Sequence, residues 1–167
     1  QPTTGDALQT SGVGDINIEI RCECVDLVCL PLTVLDKFDW REYNNNDGPD
    51  PWSGPWIEDD HDGVGPTSGY VQVKDQGSWS GSWLQSQALR LYGETFQPSP
   101  DSPRASRSVD RAGKASATLM FDWEAGWAVD TSDEVVVEIS RDGVVFEILD
   151  SFTGFMGSSY GSESYDI

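Results

Sequence analysis

Residues 134–150 read EVVVEISRDGVVFEILD and carry a strong signal for a β-hairpin. Two runs rich in β-branched and aromatic residues flank the turn-forming tetrapeptide Ser140-Arg141-Asp142-Gly143. Asp-Gly accepts the positive φ that a tight hairpin turn needs. The stretch therefore predicts two antiparallel strands joined by a short turn.

Runs of the same kind recur along the chain, separated by turn-forming clusters, and no stretch shows a capped helical period. We therefore predict an all-β protein, an antiparallel jelly-roll β-sandwich over residues 36–167 with an N-terminal strand extension over residues 1–35. Polar residues 1–14 and Pro-rich residues 95–108 are expected to lie outside strands. The further runs are DINIEIRCECV (15–25), LTVLDKF (32–38), YVQVKD (70–75), ALRLYG (88–93) and SATLMFDW (116–123).

Two runs carry apolar side chains at alternate positions, and this period predicts one inward face on each strand. We expect the two faces to meet across the core of the sandwich. The positions are Leu119, Phe121 and Trp123 in one run and Val135, Val137 and Ile139 in the other.

The charge of the chain restricts its partners. The 167 residues include 29 Asp and Glu but 10 Lys and Arg, a formal net charge of −19. Such a surface cannot neutralise phosphates, so nucleic acid is not an expected partner, and an anionic membrane surface is disfavoured. No apolar run is long enough for a membrane span, so membrane insertion is not expected. The first residue is Gln1 rather than Met, which fits an exported protein after processing and equally fits a sequence that begins part-way along a longer chain.

The segment Glu42–Asp62, EYNNNDGPDPWSGPWIEDDHD, is the strongest candidate for a binding site. It holds seven carboxylates, three adjacent asparagines and two tryptophans, without Lys or Arg. Ca²⁺ takes roughly six to eight oxygen ligands from such groups. A solvated acidic loop is the alternative, but such loops usually lack aromatic residues. We therefore predict a calcium ion held by Asn45, Asp47, Asp50, Glu58, Asp60 and Asp62.

The three cysteines, Cys22, Cys24 and Cys29, all lie in the octapeptide CECVDLVC. Zinc is a weak interpretation, because His61 is the only histidine of the chain. Cys29 can pair with either Cys22 or Cys24 across a turn. We therefore predict one local disulfide in an exported protein.

The pair Trp79 and Trp83 flanks a Gly-Ser turn in WSGSW. Large aromatic side chains are usually buried, and burial in the core is the favoured interpretation. Stacking on a sugar ring is the alternative, which makes both residues candidates for carbohydrate binding.

The run Asp15–Val25 places Ile16, Ile18 and Ile20 on one face and charged or polar residues on the other. That face is too apolar to remain in water, so the segment must pair with other strands. It either folds back on its own chain or is donated to a neighbouring subunit. We favour donation, which would build a filament.

From Lys37 onward the chain carries a series of distinctive sequence motifs. They are NNNDG, WSGPWIEDD, TSGYVQV, RSVD (107–110), SATLMFDW, EVVVEISRDG and the segment DSFTGFMGSSYGSESYDI (150–167). Together they resemble a bacterial extracellular module, a calcium-dependent jelly-roll sandwich similar in outline to carbohydrate-binding modules and MAM-like domains. The resemblance implies adhesion, sugar binding or surface architecture, and no catalytic residues. The module normally continues past SYDI. Either that part lies outside residues 1–167, or a strand from elsewhere fills the vacant sheet edge.

A catalytic role finds little support, since no nucleophile-elbow motif or phosphate-binding glycine loop accompanies the single histidine. We expect a non-enzymatic, extracellular, calcium-binding protein with a structural or adhesive role, assembling through strand exchange. Its expected partners are copies of itself or another surface protein. The alternative is a carbohydrate-binding module of a larger secreted protein, with glycans as ligands.

Overall fold

The computed structural model describes residues 11–20, 32–60, 65–75, 87–91, 103–110, 116–125, 131, 133–153 and 159–167. These ranges contain ten strands and no helix, and hence no helix able to cross a membrane. In chain order the strands are β1 (Ser11–Ile20), β2 (Leu32–Asp36), β3 (Ile57–Asp59), β4 (Val71–Asp75), β5 (Gln87–Leu91), β6 (Arg104–Ser106), β7 (Thr118–Ala125), β8 (Glu134–Ser140), β9 (Phe146–Thr153) and β10 (Ser159–Asp166).

The largest sheet is antiparallel and has the strand order β10-β7-β1-β5-β4, with β2 also paired to β1. Strand β1 lies at its centre. Ile18 of β1 is opposite Leu119 of β7 and also opposite Val34 of β2. Nearer the N-terminus, Val13 is opposite Trp123 of β7 and Leu89 of β5. One strand thus holds β10 and β7 together with β2, β5 and β4.

The remaining strands form two-stranded ribbons, β8 with β9 and β3 with β6. The β8–β9 hairpin is the one that the Asp-Gly turn predicts, and Gly143 has φ 72°. A shift in register between Val137 and Glu138 marks a bulge, which bends and twists a ribbon.

Phe121 of β7 lies in the buried core, where the β8–β9 ribbon packs on the large sheet. Its ring centroid is 6.5 Å from that of Phe152, and Phe152 lies 5.2 Å from Trp123. Val137 packs against the same core. The core residues are Val34, Phe38, Trp52, Val71, Val73, Leu89, Ala117 and Phe121.

The all-β prediction is confirmed, and the antiparallel sheets with a packed ribbon are consistent with a β-sandwich. Leu119, Phe121 and Trp123 face the core as predicted, and Val135 and Val137 pack inward.

Two local expectations are wrong. Residues 11–14, placed outside strands, belong to β1, and residues 104–106, placed in a loop, form β6. The predicted extension, residues 1–35, contributes β1 and part of β2 to the large sheet.

Candidate functional site

The acidic segment begins where β2 ends, at a backbone turn fixed by a buried carboxylate. Asp36 Oδ1 accepts a hydrogen bond of 2.8 Å from the amide of Phe38. Phe38 has φ 54°, a left-handed conformation that costs a non-glycine residue energy. Its side chain is fully buried, with its ring 6.0 Å from that of Trp56. Burial of this ring offsets the backbone strain and turns the chain toward the core.

Asp36 and Arg107 form an ion pair whose side chains are 0% and 2% exposed. The guanidinium Nη1 donates to Asp36 Oδ2, which also accepts 2.9 Å from Trp56 Nε1. Arg107 Nε donates to the carbonyl of Gly54 at 2.9 Å, and Nη2 donates to the carbonyl of Asn45 at 2.7 Å. The planar fork of arginine thus ties two positions of the β2–β3 connection to the carboxylate at the end of β2.

The same guanidinium lies over aromatic rings, with its carbon 4.5 Å from the centroid of Trp52 and 5.9 Å from that of Trp56. Both contacts are within the range of cation–π attraction. This cluster of Asp36, Arg107, Trp52 and Trp56, here called the Arg107 cluster, makes the tryptophans of the acidic segment part of the core.

Burial dominates the electrostatics of the Arg107 cluster. Desolvation raises the pKa of Asp36 above its ordinary value, while hydrogen bonds from Phe38 and Trp56 and the charge of Arg107 oppose the rise. Desolvation likewise lowers the pKa of Arg107, and the nearby charges of Asp36 and Asp47 oppose that change. The pair is therefore costly to bury and is retained because each group satisfies the other.

Asp47 and Asp50, two of the predicted calcium ligands, accept hydrogen bonds from backbone amides in β2 and just after it. Asp50 Oδ2 accepts 2.7 Å from the amide of Thr33, and Asp47 Oδ2 accepts 2.7 Å from the amide of Lys37. Backbone bonds from Asp47 to Leu35 and from Asp50 to Thr33 run alongside. Gly48 lies between them so close to β2 that a Cβ would be 2.7 Å from the Leu35 nitrogen.

Asn45 Nδ2 donates to Asp47 Oδ2 at 2.8 Å and, at 3.4 Å, to Asp36 Oδ1. The structure therefore brings Asn45 and Asp47 together beside the Arg107 cluster. The guanidinium of Arg107 supplies positive charge at this point, where it donates to the oxygens of Asp36, Asn45 and Gly54.

Two further predicted ligands, Glu58 and Asp60, lie around β3. Glu58 accepts 2.7 Å from the Tyr43 hydroxyl at Oε2 and 2.8 Å from the Gly65 amide at Oε1. Asp60 Oδ2 accepts from the amides of Tyr70 at 3.2 Å and Val71 at 3.0 Å. These carboxylates connect β3 to the start of β4.

Within the described ranges, no group of three or more His, Cys, Asp or Glu side chains is arranged to hold a metal ion. The carboxylate and amide oxygens have the hard chemistry that Ca²⁺ prefers, but the structure spreads them over the edge of β2 and the start of β4. The calcium site stays a prediction, with the ligands Asn45, Asp47, Asp50, Glu58, Asp60 and Asp62.

Several candidates of the sequence lie outside the described residues: Asp62, the possible sugar platform of Trp79 and Trp83, and the possible disulfide of Cys22, Cys24 and Cys29. Ile16, Ile18 and Ile20 lie in β1, between β7 and β2 of the same chain.

The sequence reasoning missed Asp36 and Arg107. A usable signal was present, because Val34 and Asp36 occupy the same, buried face of β2. An acid at an inward strand position requires a buried partner. Arg107 is one of few cations in the chain and belongs to the RSVD piece.

Comparisons of the chain with models of protein families, with curated proteins and with solved structures find no match.

Proposed function

We propose that the protein is an exported, non-catalytic jelly-roll module with a structural or adhesive role, and that copies assemble by exchanging strand β1. The position of β1 carries this proposal. It is the first strand of the described chain, yet it lies at the centre of the largest sheet, paired with β7, β5 and β2.

The backbone bonds of β1 depend on register and not on which chain supplies the strand. A β1 strand from a second copy, in the same register, would form the same antiparallel ladders with β7, β5 and β2. Residues 21–31 connect β1 to β2 and provide the length over which the strand could reach another copy. Each copy would then accept one strand and donate one, and contacts that do not close on themselves produce a filament.

The test uses a protein that lacks residues 1–20 and a synthetic peptide of residues 11–20. Without β1, strands β10 and β7 lose their connection to β5 and β4, so we expect the truncated chain to be unstable alone. Refolding it with the peptide is expected to restore a cooperative melting transition. A peptide with Ile18→Pro, which cannot donate at that position, is the matched control.

Rescue by the peptide would show that the place of β1 in the sheet can be filled by a separate strand. Native mass spectrometry of the full-length protein then tests whether β1 pairs with its own chain or with another copy. Full-length protein refolded at high concentration is expected to give oligomers, and free 11–20 peptide is expected to shorten them. A full-length protein that stays monomeric at every concentration, while the peptide still rescues the truncated chain, would show that β1 serves only its own subunit.

Calcium is proposed to stabilise the acidic segment. A metal that binds only the folded state adds about 2.7 kcal/mol at a hundredfold excess over its Kd. We therefore expect EDTA to lower the melting temperature of the wild type and to leave a variant with Asp47→Asn and Asp50→Asn unchanged. Glu138→Gln, which changes an exposed acid of β8, is the control that should keep the response. Superimposable wild-type curves with calcium and with EDTA would contradict calcium binding.

Carbohydrate binding is the second candidate, and Trp40 is the observation that favours it. Its side chain is 69% exposed in the turn after β2, unlike the buried Trp52. An exposed indole offers a flat apolar face for a sugar ring. Retention on insoluble polysaccharides should then fall in Trp40→Ala and be largely kept in Trp40→Phe. Equal retention of wild type and Trp40→Ala would exclude this turn as the sugar site.

A further inference from the structure

The outward face of the β8–β9 hairpin carries an exposed apolar surface. The register places Ser140 opposite Phe146 and Glu138 opposite Ile148, so these residues share a face with Val136. The opposite face packs inward through residues such as Val137 and Phe152. Among the described residues, most exposed large apolar side chains belong to this hairpin: Val136, Val144, Val145, Phe146 and Ile148. We call these five the hairpin patch.

The tip of the hairpin exposes its side chains most. Val144 is 80% exposed and Val145 is 62% exposed, and Ile148 on β9 of the same hairpin is 68% exposed. Several exposed apolar side chains on one hairpin indicate an interaction site, because leaving them in water is unfavourable.

The turn that presents these valines is held in place by hydrogen bonds. Asp142 Oδ1 accepts from the amides of Val144 and Val145, each at 2.8 Å. The Ser140 hydroxyl donates to the same oxygen at 3.1 Å and accepts from the Gly143 amide at 2.9 Å. The backbone that carries both valines is thus held in one conformation, and a partner loses less entropy on binding a preorganised surface.

The charges around the hairpin patch indicate the charge of the partner that it would bind. The exposed charged residues of the same hairpin are acidic with one exception, Arg141: Glu134, Glu138, Asp142 and Glu147. Asp142 keeps its charge well into acid, since the backbone bonds from Val145 and Val144 lower its pKa. A second copy docked face to face on this surface would place these acids against the same acids of its partner. Anionic lipid would be repelled for the same reason.

We propose that the hairpin patch docks a segment of another protein in which apolar side chains alternate with lysine or arginine. Its apolar side chains would cover Val144, Val145 and Ile148, and its cations would face the acidic rim. The proposal goes beyond the structural role given above, because it assigns a second surface to a partner of different chemistry. It does not depend on calcium or on strand exchange.

The probe is a short, end-blocked, fluorescent peptide of alternating lysine and valine, with binding measured by anisotropy. A triple variant, Val144→Ser, Val145→Ser and Ile148→Ser, is expected to bind it at least about tenfold more weakly than wild type. The control is Ile57→Ser, since Ile57 is an exposed apolar residue on β3, away from the hairpin. That control is expected to bind like the wild type. If the triple variant does not fold, Val144→Ser alone replaces it, with an expected loss of about threefold.

A peptide of alternating lysine and serine separates the apolar contribution from charge. We expect it to bind the wild type much more weakly than the valine peptide. Equal binding of the two peptides, or unchanged binding of the triple variant, would mean that the acidic surface attracts cations without using the hairpin patch, and would overturn the proposal.

The same variants also test two other occupants of the hairpin patch, a second copy of the chain and a lipid surface. Sedimentation velocity that shows self-association of the wild type and none in the triple variant would assign the hairpin patch to a second copy and overturn the proposal. Co-sedimentation with phosphatidylcholine vesicles that the triple variant loses would assign it to lipid and also overturn the proposal. Absence of both, with the peptide result above, supports the cationic partner.

Discussion

At the scale of single residues, the most consequential pair is Asp36 and Arg107. Both side chains are buried, and their hydrogen bonds join the end of β2 to Asn45, Gly54 and Trp56 in the connection between β2 and β3. A buried pair of this kind adds little net stability over apolar residues of similar size, but removing one partner is strongly destabilising. The segment that looked like a metal loop is thereby organised, within the described residues, around an arginine.

Arg107→Met is expected to destabilise the protein by about 3–5 kcal/mol, because it leaves the carboxylate of Asp36 buried without its charge partner. Chemical denaturation measures the change in the free energy of unfolding. Arg141→Met, at an exposed cation of the β8–β9 turn, is the matched control and should change that free energy by less than about 0.5 kcal/mol.

A second variant tests the cause of this loss. Asp36→Asn combined with Arg107→Met removes both charges and should recover part of the stability lost in the single variant. A double variant that is as unstable as the sum of its single changes would show that Asp36 and Arg107 act independently.

Sequence reasoning could locate the acidic segment but not its partner. The composition of Glu42–Asp62 identified a region where charge and aromatic residues meet, and that region is folded onto the core. Its cation comes from Arg107, far along the chain, and no local spacing connects the two. The carboxylates instead accept hydrogen bonds from backbone amides of Thr33 in β2, of Lys37 just after it and of Val71 in β4, which a pattern of residue types cannot reveal.

At the scale of elements, strands with regular apolar alternation were predictable, and polar strands were not. EVVVEIS coincides with β8, and SATLMFDW overlaps most of β7. In contrast, β10 reads SYGSESYD and becomes a strand through its ladder with β7. Strand formation at such a sequence depends on the neighbouring strand, so local propensity gives little signal.

Phe121→Ala is expected to cost about 3–5 kcal/mol, because the ring is buried among β7, β9 and β10 and its removal leaves a cavity. Thermal and chemical unfolding measure the loss. Val144→Ala, which shortens an exposed side chain, should leave the stability almost unchanged. A Phe121→Ala protein that melts with the wild type would contradict the assigned core.

Tyr165 connects β10 to β9 through a hydrogen bond of 2.6 Å to Asp150 Oδ2. That bond and one from the Ser151 amide lower the pKa of Asp150. Tyr165→Phe should therefore raise the pKa of Asp150 toward its ordinary value, as measured by NMR titration of the carboxyl carbon. Asp142, whose pKa is lowered by bonds from Val145, Val144 and Ser140, is the internal control and should not move.

The same variant has a predicted effect on acid stability. A carboxyl whose pKa is lower in the folded state stabilises the fold above its unfolded pKa, and this contribution is lost as pH falls through the folded pKa. Tyr165→Phe removes part of that contribution. The difference in the free energy of unfolding between wild type and variant should therefore shrink as the pH falls through the pKa of Asp150 in the folded protein, because the carboxyl is then protonated in both proteins. A difference that is constant with pH would assign the effect of Tyr165 to packing alone.

At the scale of the whole molecule, the net charge of −19 opposes the compact state. Salt screens repulsion between exposed charges, with a Debye length of about 10 Å at 0.1 M. We expect sodium chloride, raised from about 0.02 to 0.3 M, to increase the melting temperature by a few degrees. Choline chloride at equal ionic strength is the control for specific sodium binding. A melting temperature that falls with either salt would show that attractive pairs outweigh the repulsion.

The central place of β1 also determines when the chain can fold. Ribosomes synthesise residues 11–20 early, but Ile18 pairs with Leu119, and β10 joins β7 only when Asp166 exists. Contacts between such distant residues form slowly, because the loop must close before they contribute. The largest sheet therefore stays incomplete until residues 159–166 have been synthesised. Under the proposed export, that delay would leave the chain unfolded enough to pass through a narrow secretion pore until β10 has been made.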